Sequence, residues 1–433
     1  MTASLSFDSR ILRGLMVLTV FVALGRIAGA AKEIVVAYRY GTSEALDVYT
    51  LAFVLVTWAP VIALSLLQSS LVPALTRLDD AENRRFCKEL TGLIAIVGLV
   101  ASLVLWVAFP YLTSLFDLSF AGTAIDEFNW ALTALTPIIG LMCLNAVFSM
   151  RLLAHEHHSN TLLEAVPAMV LLSFVLLYPM KEPNLMPLVY GTVIGVFTHL
   201  VVLILVTRRV GLTIGVSFQF VHEQWKPFRQ AIGTLLLGAV AMSLVLPIDQ
   251  LMAAQLDTGS VSTLSYATRL LTLAMGLAIT VLTRALLPVL SDGNLDDSAR
   301  TLLAQRWMLM LFAGGLLLVG VGWFVTPAAV SILFERGEFT SIDSENVSRA
   351  VRLGLFQVPI LFVGTVLVQL FTSMQRYKVI VGSSLVALSA KLSTGIPLAN
   401  AYGLDGIMIS TVLMYGCTSI YFMYFFSRLR KNK

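Results

Sequence analysis

Ionised side chains set within long apolar runs are the residues of this sequence with chemistry to do. Arg26, Lys32 and Glu33 lie in the run 12–38, Asp249 in 229–254, Arg269 in 262–290 and Lys391 in 379–398. A charge near the centre of a bilayer costs about 2.5–3.5 kcal/mol on insertion scales, so such groups face a wet cavity or a partner. Arg26 is thirteen residues from both Arg13 and Arg39. That is about 20 Å of helix each way, too far for its side chain to reach either surface. Arg26 and Glu33 share a helix face, while Lys32 points about a quarter turn away. Arg269 lies about 13 Å below the outer end of its helix by the same rise per residue. Arg284 is near the cytoplasmic end of that run and can snorkel, so it is set aside.

These charges admit two uses. As structural ion pairs, for example Arg26 with Asp47 and Lys32 with Glu33, they hold helices in register. As a cationic surplus, Arg26, Lys32 and Arg269 suit a polyanionic headgroup, and guanidinium forks match diphosphate oxygens in a bidentate way. The cluster His155, Glu156, His157 and His158 falls in a short cytoplasmic loop and reads as a solvated turn rather than a metal site. Cys87, Cys143 and Cys417 have no CxxC spacing, and an odd number gives no disulfide framework. The sequence contains no P-loop, GxSxG, HExxH or dinucleotide fingerprint, so no cofactor, metal, nucleic acid or soluble-type catalysis is expected.

The elements that must hold these residues are membrane helices. Hydrophobic residues make up 58% of the 433 positions and charged residues 12%, far too apolar for a soluble domain. The apolar blocks are long enough to span the hydrocarbon layer. They predict about twelve spans: 12–38, 45–72, 90–112, 129–151, 160–179, 186–207, 229–254, 262–290, 302–325, 346–374, 379–398 and 405–427. The first run continues past Arg26 to Tyr38 without a cleavage site, so it reads as a retained span rather than a signal peptide. Lys and Arg concentrate in alternate loops, among them Arg84, Arg85 and Lys88, then Arg208, Arg209 and Lys226, then Arg428, Arg430 and Lys431. By the positive-inside rule these loops and both termini are cytoplasmic.

The spans divide after the sixth, giving lobes 1–215 and 216–433 of the same orientation. Gly41-Thr42-Ser43, Tyr49 and Leu71-Val72-Pro73-Ala74-Leu75 in the first lobe match Thr258-Gly259-Ser260, Tyr266 and Leu286-Leu287-Pro288-Val289-Leu290 in the second. The offset recurs near 217 residues, the mark of a parallel repeat. The expected fold is therefore an all-α polytopic membrane protein, two six-helix lobes around a central cavity.

Three segments stand out in order and spacing: Gly25-Arg26-Ile27-Ala28-Gly29 through Lys32-Glu33, Tyr40-Gly41-Thr42-Ser43, Asp47 and Tyr49; Tyr266-Ala267-Thr268-Arg269-Leu270 through Leu286-Leu287-Pro288; and Leu333-Phe334-Glu335-Arg336-Gly337-Glu338-Phe339-Thr340. Together they resemble the MurJ/MviN family of lipid flippases. The resemblance covers essentially the whole chain. It implies a bacterial inner-membrane flippase working by alternating access, with an undecaprenyl-diphosphate-linked saccharide as cargo. Membrane lipid and cell-envelope glycan synthesis enzymes are its implied partners. It also implies that Arg26, Lys32 and Arg269 are cavity cations, with Glu33 and Asp47 at the family's acidic positions.

Two departures stand out: Pro60 occupies the place of a further cavity arginine, and the chain has about twelve spans where the family usually has two more. These make an exopolysaccharide or O-antigen unit a rival to lipid II. A cation-coupled drug exporter of the same superfamily and a membrane glycosyltransferase or polymerase are the alternatives in other classes. The resemblance also places Asp249 and Lys391 beside the family's sodium site, where a lysine supplies no oxygen ligand. The two are expected to form an ion pair that replaces the cation, the alternative being Lys391 as a fourth headgroup cation.

The charge asymmetry puts residues 111–127 outside. A Ser119→Cys variant is therefore expected to react with an impermeant thiol reagent while the inner membrane is intact, and reaction only after permeabilisation contradicts the topology.

Overall fold

The computed structural model describes residues 9–75, 78–113, 118, 120, 122–155, 162–179, 182–290 and 297–431. Ser119 and Glu156, His157 and His158 of the histidine cluster lie outside these residues. The described part is helix, turn and extended segment, with no strand.

Every predicted span coincides with helix. Helices α1 (Ser9–Tyr40), α2 (Glu44–Leu75) and α3 (Asp80–Thr113) cover the first three. The fourth is a pair, α4 (Thr123–Leu135) and α5 (Pro137–Ala154), followed by α6 (Val166–Leu177) and α7 (Met186–Arg209). The seventh is again a pair, α8 (Trp225–Ser243) and α9 (Val245–Ala253), before α10 (Ser260–Leu290) and α11 (Asp297–Phe334). A third pair, α12 (Ser341–Leu355) and α13 (Gln357–Ser373), precedes one long bent helix, α14 (Tyr377–Lys431), over the last two spans. Among the described residues seven helices are long and apolar enough to cross a membrane, and the α12–α13 pair makes an eighth. The chain is a multi-pass membrane protein.

Prolines set the breaks. Pro247 and Pro359 each stand four residues after the last residue of the preceding helix, Ser243 and Leu355. A proline ring clashes with the carbonyl four residues back and offers no N–H to it, so the helix ends there. The resulting bend between α12 and α13 is 41°. In α14 the break is Gly403, with φ 57° and ψ −133°, a conformation only glycine adopts without strain.

Two compact units result. The first holds residues up to Arg39, Ala59–Leu112 and Glu127–Ala231. Part of its core is Phe148 and Leu152 of α5 against Leu200 and Leu203 of α7. The extended stretch after α7 is tied into this unit: Arg151 donates to Thr213 O at 2.7 Å, Ser217 N to Lys88 O at 2.9 Å, and Trp225 Nε1 to the buried Glu89 carboxylate at 2.7 Å. The polar segment 208–228 is thus tied to α3, and the first unit runs to Ala231. The second unit holds Tyr40–Trp58, Thr113–Asp126 and Ile232–Lys433. Its core gathers Leu286 and Leu290 of α10, Met308 of α11, Leu367 and Phe371 of α13 and Phe422 of α14.

Candidate functional site

Lys391 is fully buried on α14 in the second unit. Its Nζ lies 2.6 Å from Asp249 Oδ1, on α9. It also donates to Ser410 Oγ and Thr411 Oγ1, both at 2.7 Å, and to Ile407 O at 3.2 Å. The two hydroxyls give their own protons onward to Ile407 O, which leaves their lone pairs for the ammonium. Four oxygens therefore surround one cation, and the pair meets as its position in two apolar runs suggests. An isolated buried ammonium would cost several kcal/mol, about as much again for the lone carboxylate, so each is tolerable only with the other.

Nothing in the sequence marks Ser410 and Thr411 as partners. They follow Lys391 by 19 and 20 residues on the same helix and reach it because α14 breaks at Gly403. Gly406 also lacks the space for a side chain, since a Cβ there would collide with the Leu398 carbonyl.

Asp47 has a task the charge count does not reveal. Its Oδ2 accepts from Gly259 N at 2.6 Å and its Oδ1 from Ser262 N at 2.7 Å, so a buried carboxylate caps the positive end of α10. The turn just before it is held as well. Thr42 Oγ1 donates to Asp343 Oδ1 at 2.5 Å, and Tyr266 Oη donates to Gly41 O at 3.2 Å. Asp343 in turn completes a capping box with Thr340 at the start of α12. Gly41 and Gly259, the glycines of the two repeated turns, both have positive φ, and Gly259 packs against Thr42. The turns at Gly41-Thr42-Ser43 and Thr258-Gly259-Ser260 thus meet in one closure within the second unit.

Of the other charges, Lys32 Nζ and Glu33 Oε1 pair at 2.5 Å on α1, in the first unit. This is the pairing that the structural reading of these residues expects, and it neutralises one of the three cations locally. Arg26 on α1 and Arg269 on α10 are both partly buried, the first in the first unit and the second in the second.

Comparison with known proteins places this geometry. A family model described as "Lipid II flippase MurJ" matches residues 36–433. A Vibrio cholerae protein named "Probable lipid II flippase MurJ" is 26% identical, the match covering 93% of this chain and 80% of that protein. One of the same name from Bdellovibrio bacteriovorus is 28% identical over 196 residues, 44% of this chain and 37% of that protein. A solved structure titled "Lipid II flippase MurJ, inward closed conformation" has a TM-score of 0.81 at 17% identity, covering 94% of this chain and 87% of that one. An inward-facing multidrug resistance MATE family transporter gives 0.76 at 14% identity, over 95% of this chain and 96% of that one. The two structural likenesses speak for the fold.

Lys391→Ala leaves Asp249 buried and uncompensated, so purified protein is expected to lose about 3–5 kcal/mol of stability. Asp249→Asn combined with Lys391→Met removes both charges and is expected to recover most of that loss. Thermal unfolding in one detergent compares them; a single variant as stable as the double one contradicts the pairing energetics.

Proposed function

The chain belongs to the lipid II flippase MurJ family, and from that membership we propose that it is a transporter carrying an undecaprenyl-diphosphate-linked saccharide from the cytoplasmic to the periplasmic leaflet. The observation that carries this reading is the family match, which runs from residue 36 to the last residue. Lipid II is the cargo that the relatives' names supply. A polysaccharide repeat unit on the same carrier shares its diphosphate and is the second candidate, favoured by Pro60 where the family has a cavity arginine.

The proposed mechanism is alternating access across twelve spans with both termini in the cytoplasm. The closure formed by Gly41, Thr42, Asp47, Gly259 and Asp343 supports it. On the proposed topology these residues lie at the periplasmic side, and their hydrogen bonds keep that side shut while the headgroup enters from the cytoplasm. Release then requires the Asp47 cap on α10 and the Thr42–Asp343 bond to part. Both end on carboxylates, and exchanging each such bond for water costs about 1.5–3 kcal/mol net. Such bonds suit a gate that must open in each cycle.

Arg26 and Arg269 are the cations proposed to meet the diphosphate, with Lys32 and its partner Glu33 adjusting the local charge. Arginine is the better choice for this because its planar fork offers paired donors to phosphate oxygens. The polyprenyl tail stays in lipid, and no covalent step is needed.

The sodium site of the resembled family does not fit here. A hard cation needs several oxygens at short distance. The oxygens that converge beside Asp249 are already bound by Lys391 Nζ. The proposal is therefore that this chain carries its own cation in the place of an ion from solution.

Arg26→Ala and Arg269→Ala are each expected to abolish complementation of a flippase-deficient strain at normal expression and membrane insertion. Charge should outweigh shape, so Arg269→Lys is expected to retain part of the activity that Arg269→Ala loses. Full complementation by both alanine variants contradicts the headgroup assignment.

A further inference from the structure

A second polar feature lies in the second unit, away from the groups used above. Helices α11 and α12 face each other across a cleft of about 570 Å³. It is lined by Trp323 and Ser331 of α11, by Glu335 just past the end of that helix, and by Glu345, Ser348 and Arg352 of α12. Trp323 and Ser331, eight apart on α11, share a helix face, as do Glu345, Ser348 and Arg352 at offsets of three and seven on α12.

Charge in this cleft is ordered by depth. Arg349 forms a close ion pair with Asp405, so neither adds a free charge. Arg352 has no carboxylate partner among the described residues. Its Nε donates to Trp323 O at 2.8 Å and its guanidinium lies 5.3 Å from the Trp323 ring, which leaves the outer nitrogens of the fork for a ligand. Glu335 and Glu345 are exposed at the other end, near the helix termini. Arg352 is seven residues further into α12 than Glu345, about 10 Å at 1.5 Å per residue.

Between them is Ser348, 4% exposed, whose hydroxyl has no hydrogen-bond partner among the described residues. Most buried helical hydroxyls in the described residues return their proton to a carbonyl three or four residues back, as Ser70 does to Leu66 O at 2.6 Å. Ser348 keeps its donor unused and lines the cleft. A buried unpaired hydroxyl costs about 1–3 kcal/mol unless a ligand satisfies it.

The flanks are apolar. Phe324 is 80% exposed and Phe356 48%, and both stand with Trp323 toward the Arg352 end of the cleft, away from water-facing Glu335. A ligand here has acyl chains beside it.

We infer that this cleft seats the headgroup of an amine-bearing phospholipid, its phosphate on Arg352 and Ser348 and its ammonium toward Glu335 and Glu345. Sign and order both match, because a phospholipid holds its phosphate at the glycerol level and its amine toward water. An anionic glycerol headgroup would satisfy Arg352 but would meet two carboxylates without a counter-charge. A choline headgroup has the right charges and no N–H to give the carboxylates. The periplasmic leaflet follows from the topology proposed above. The binding itself does not depend on it, so failure of transport predictions and failure of this site are read separately.

Native mass spectrometry of the detergent-solubilised full chain, titrated with phosphatidylethanolamine, phosphatidylglycerol and phosphatidylcholine of identical acyl chains, tests the site. The ethanolamine lipid is expected to bind at about tenfold lower concentration than the glycerol lipid, and more tightly than the choline lipid, a free-energy difference of about 1.4 kcal/mol for the first pair. Arg352→Gln, which removes the phosphate contact common to the three lipids, is expected to weaken binding of each of them, and Ser348→Ala to weaken ethanolamine-lipid binding about threefold. Glu335→Gln with Glu345→Gln, at water-facing positions that leave the packing intact, is expected to bring the glycerol lipid level with the ethanolamine lipid. Equal binding of the three lipids to the unaltered chain overturns the inference, as does a preference that survives the paired glutamine variant. Displacement of the lipid by soluble phosphoethanolamine at the same concentration overturns the assignment to a lipid.

Discussion

A cation enclosed in the apolar interior of a membrane protein must have its charge and all its donors answered within the fold, and Lys391 sets that condition here. Its ammonium takes one carboxylate oxygen, two hydroxyls and one backbone carbonyl. The carboxylate comes from α9, a helix that exists as a separate piece because Pro247 ends α8 at Ser243. The hydroxyls come from the far side of the Gly403 break in the same helix as the lysine. Remove the break and Ser410 would stand about 28 Å from Lys391 along a straight helix. Two backbone irregularities, one made by proline and one by glycine, therefore serve a single electrostatic requirement.

The same economy appears at the repeated turns. Asp47 answers two backbone N–H groups at the start of α10, and Thr42 answers a carboxylate at the start of α12. Gly41 and Gly259 are needed because both turns require positive φ and both have backbone packed against them. The two turns that match in the sequence are thus contact partners in space. The closure is polar on both sides of its seam, donors facing carboxylates and carbonyls.

Much of this was legible in the sequence, for physical reasons. Twelve apolar runs fall on helices because hydrocarbon tolerates no other backbone, and charges within those runs draw notice because each costs too much to be idle. That reasoning identified Asp249 and Lys391, which meet, and Lys32 and Glu33, which also pair. It missed Ser410 and Thr411, because a hydroxyl in an apolar run is cheap and carries no signal until its partner is known. It also misjudged the task of Asp47: charge counting offered Arg26 as a partner, whereas the carboxylate binds the N–H groups of α10. Backbone donors are invisible to any count of side-chain charges. The tie between the polar linker and α3 through Glu89 and Trp225 left no mark in the sequence, since such docking depends on shape rather than composition.

The central claim is that the built-in ammonium of Lys391 takes the place of an ion from solution. Headgroup transfer in proteoliposomes of purified protein, with sodium replaced by potassium or choline at constant ionic strength and no membrane potential, measures it directly. The account predicts equal transfer rates in all three salts. A rate that rises with sodium and saturates would contradict it.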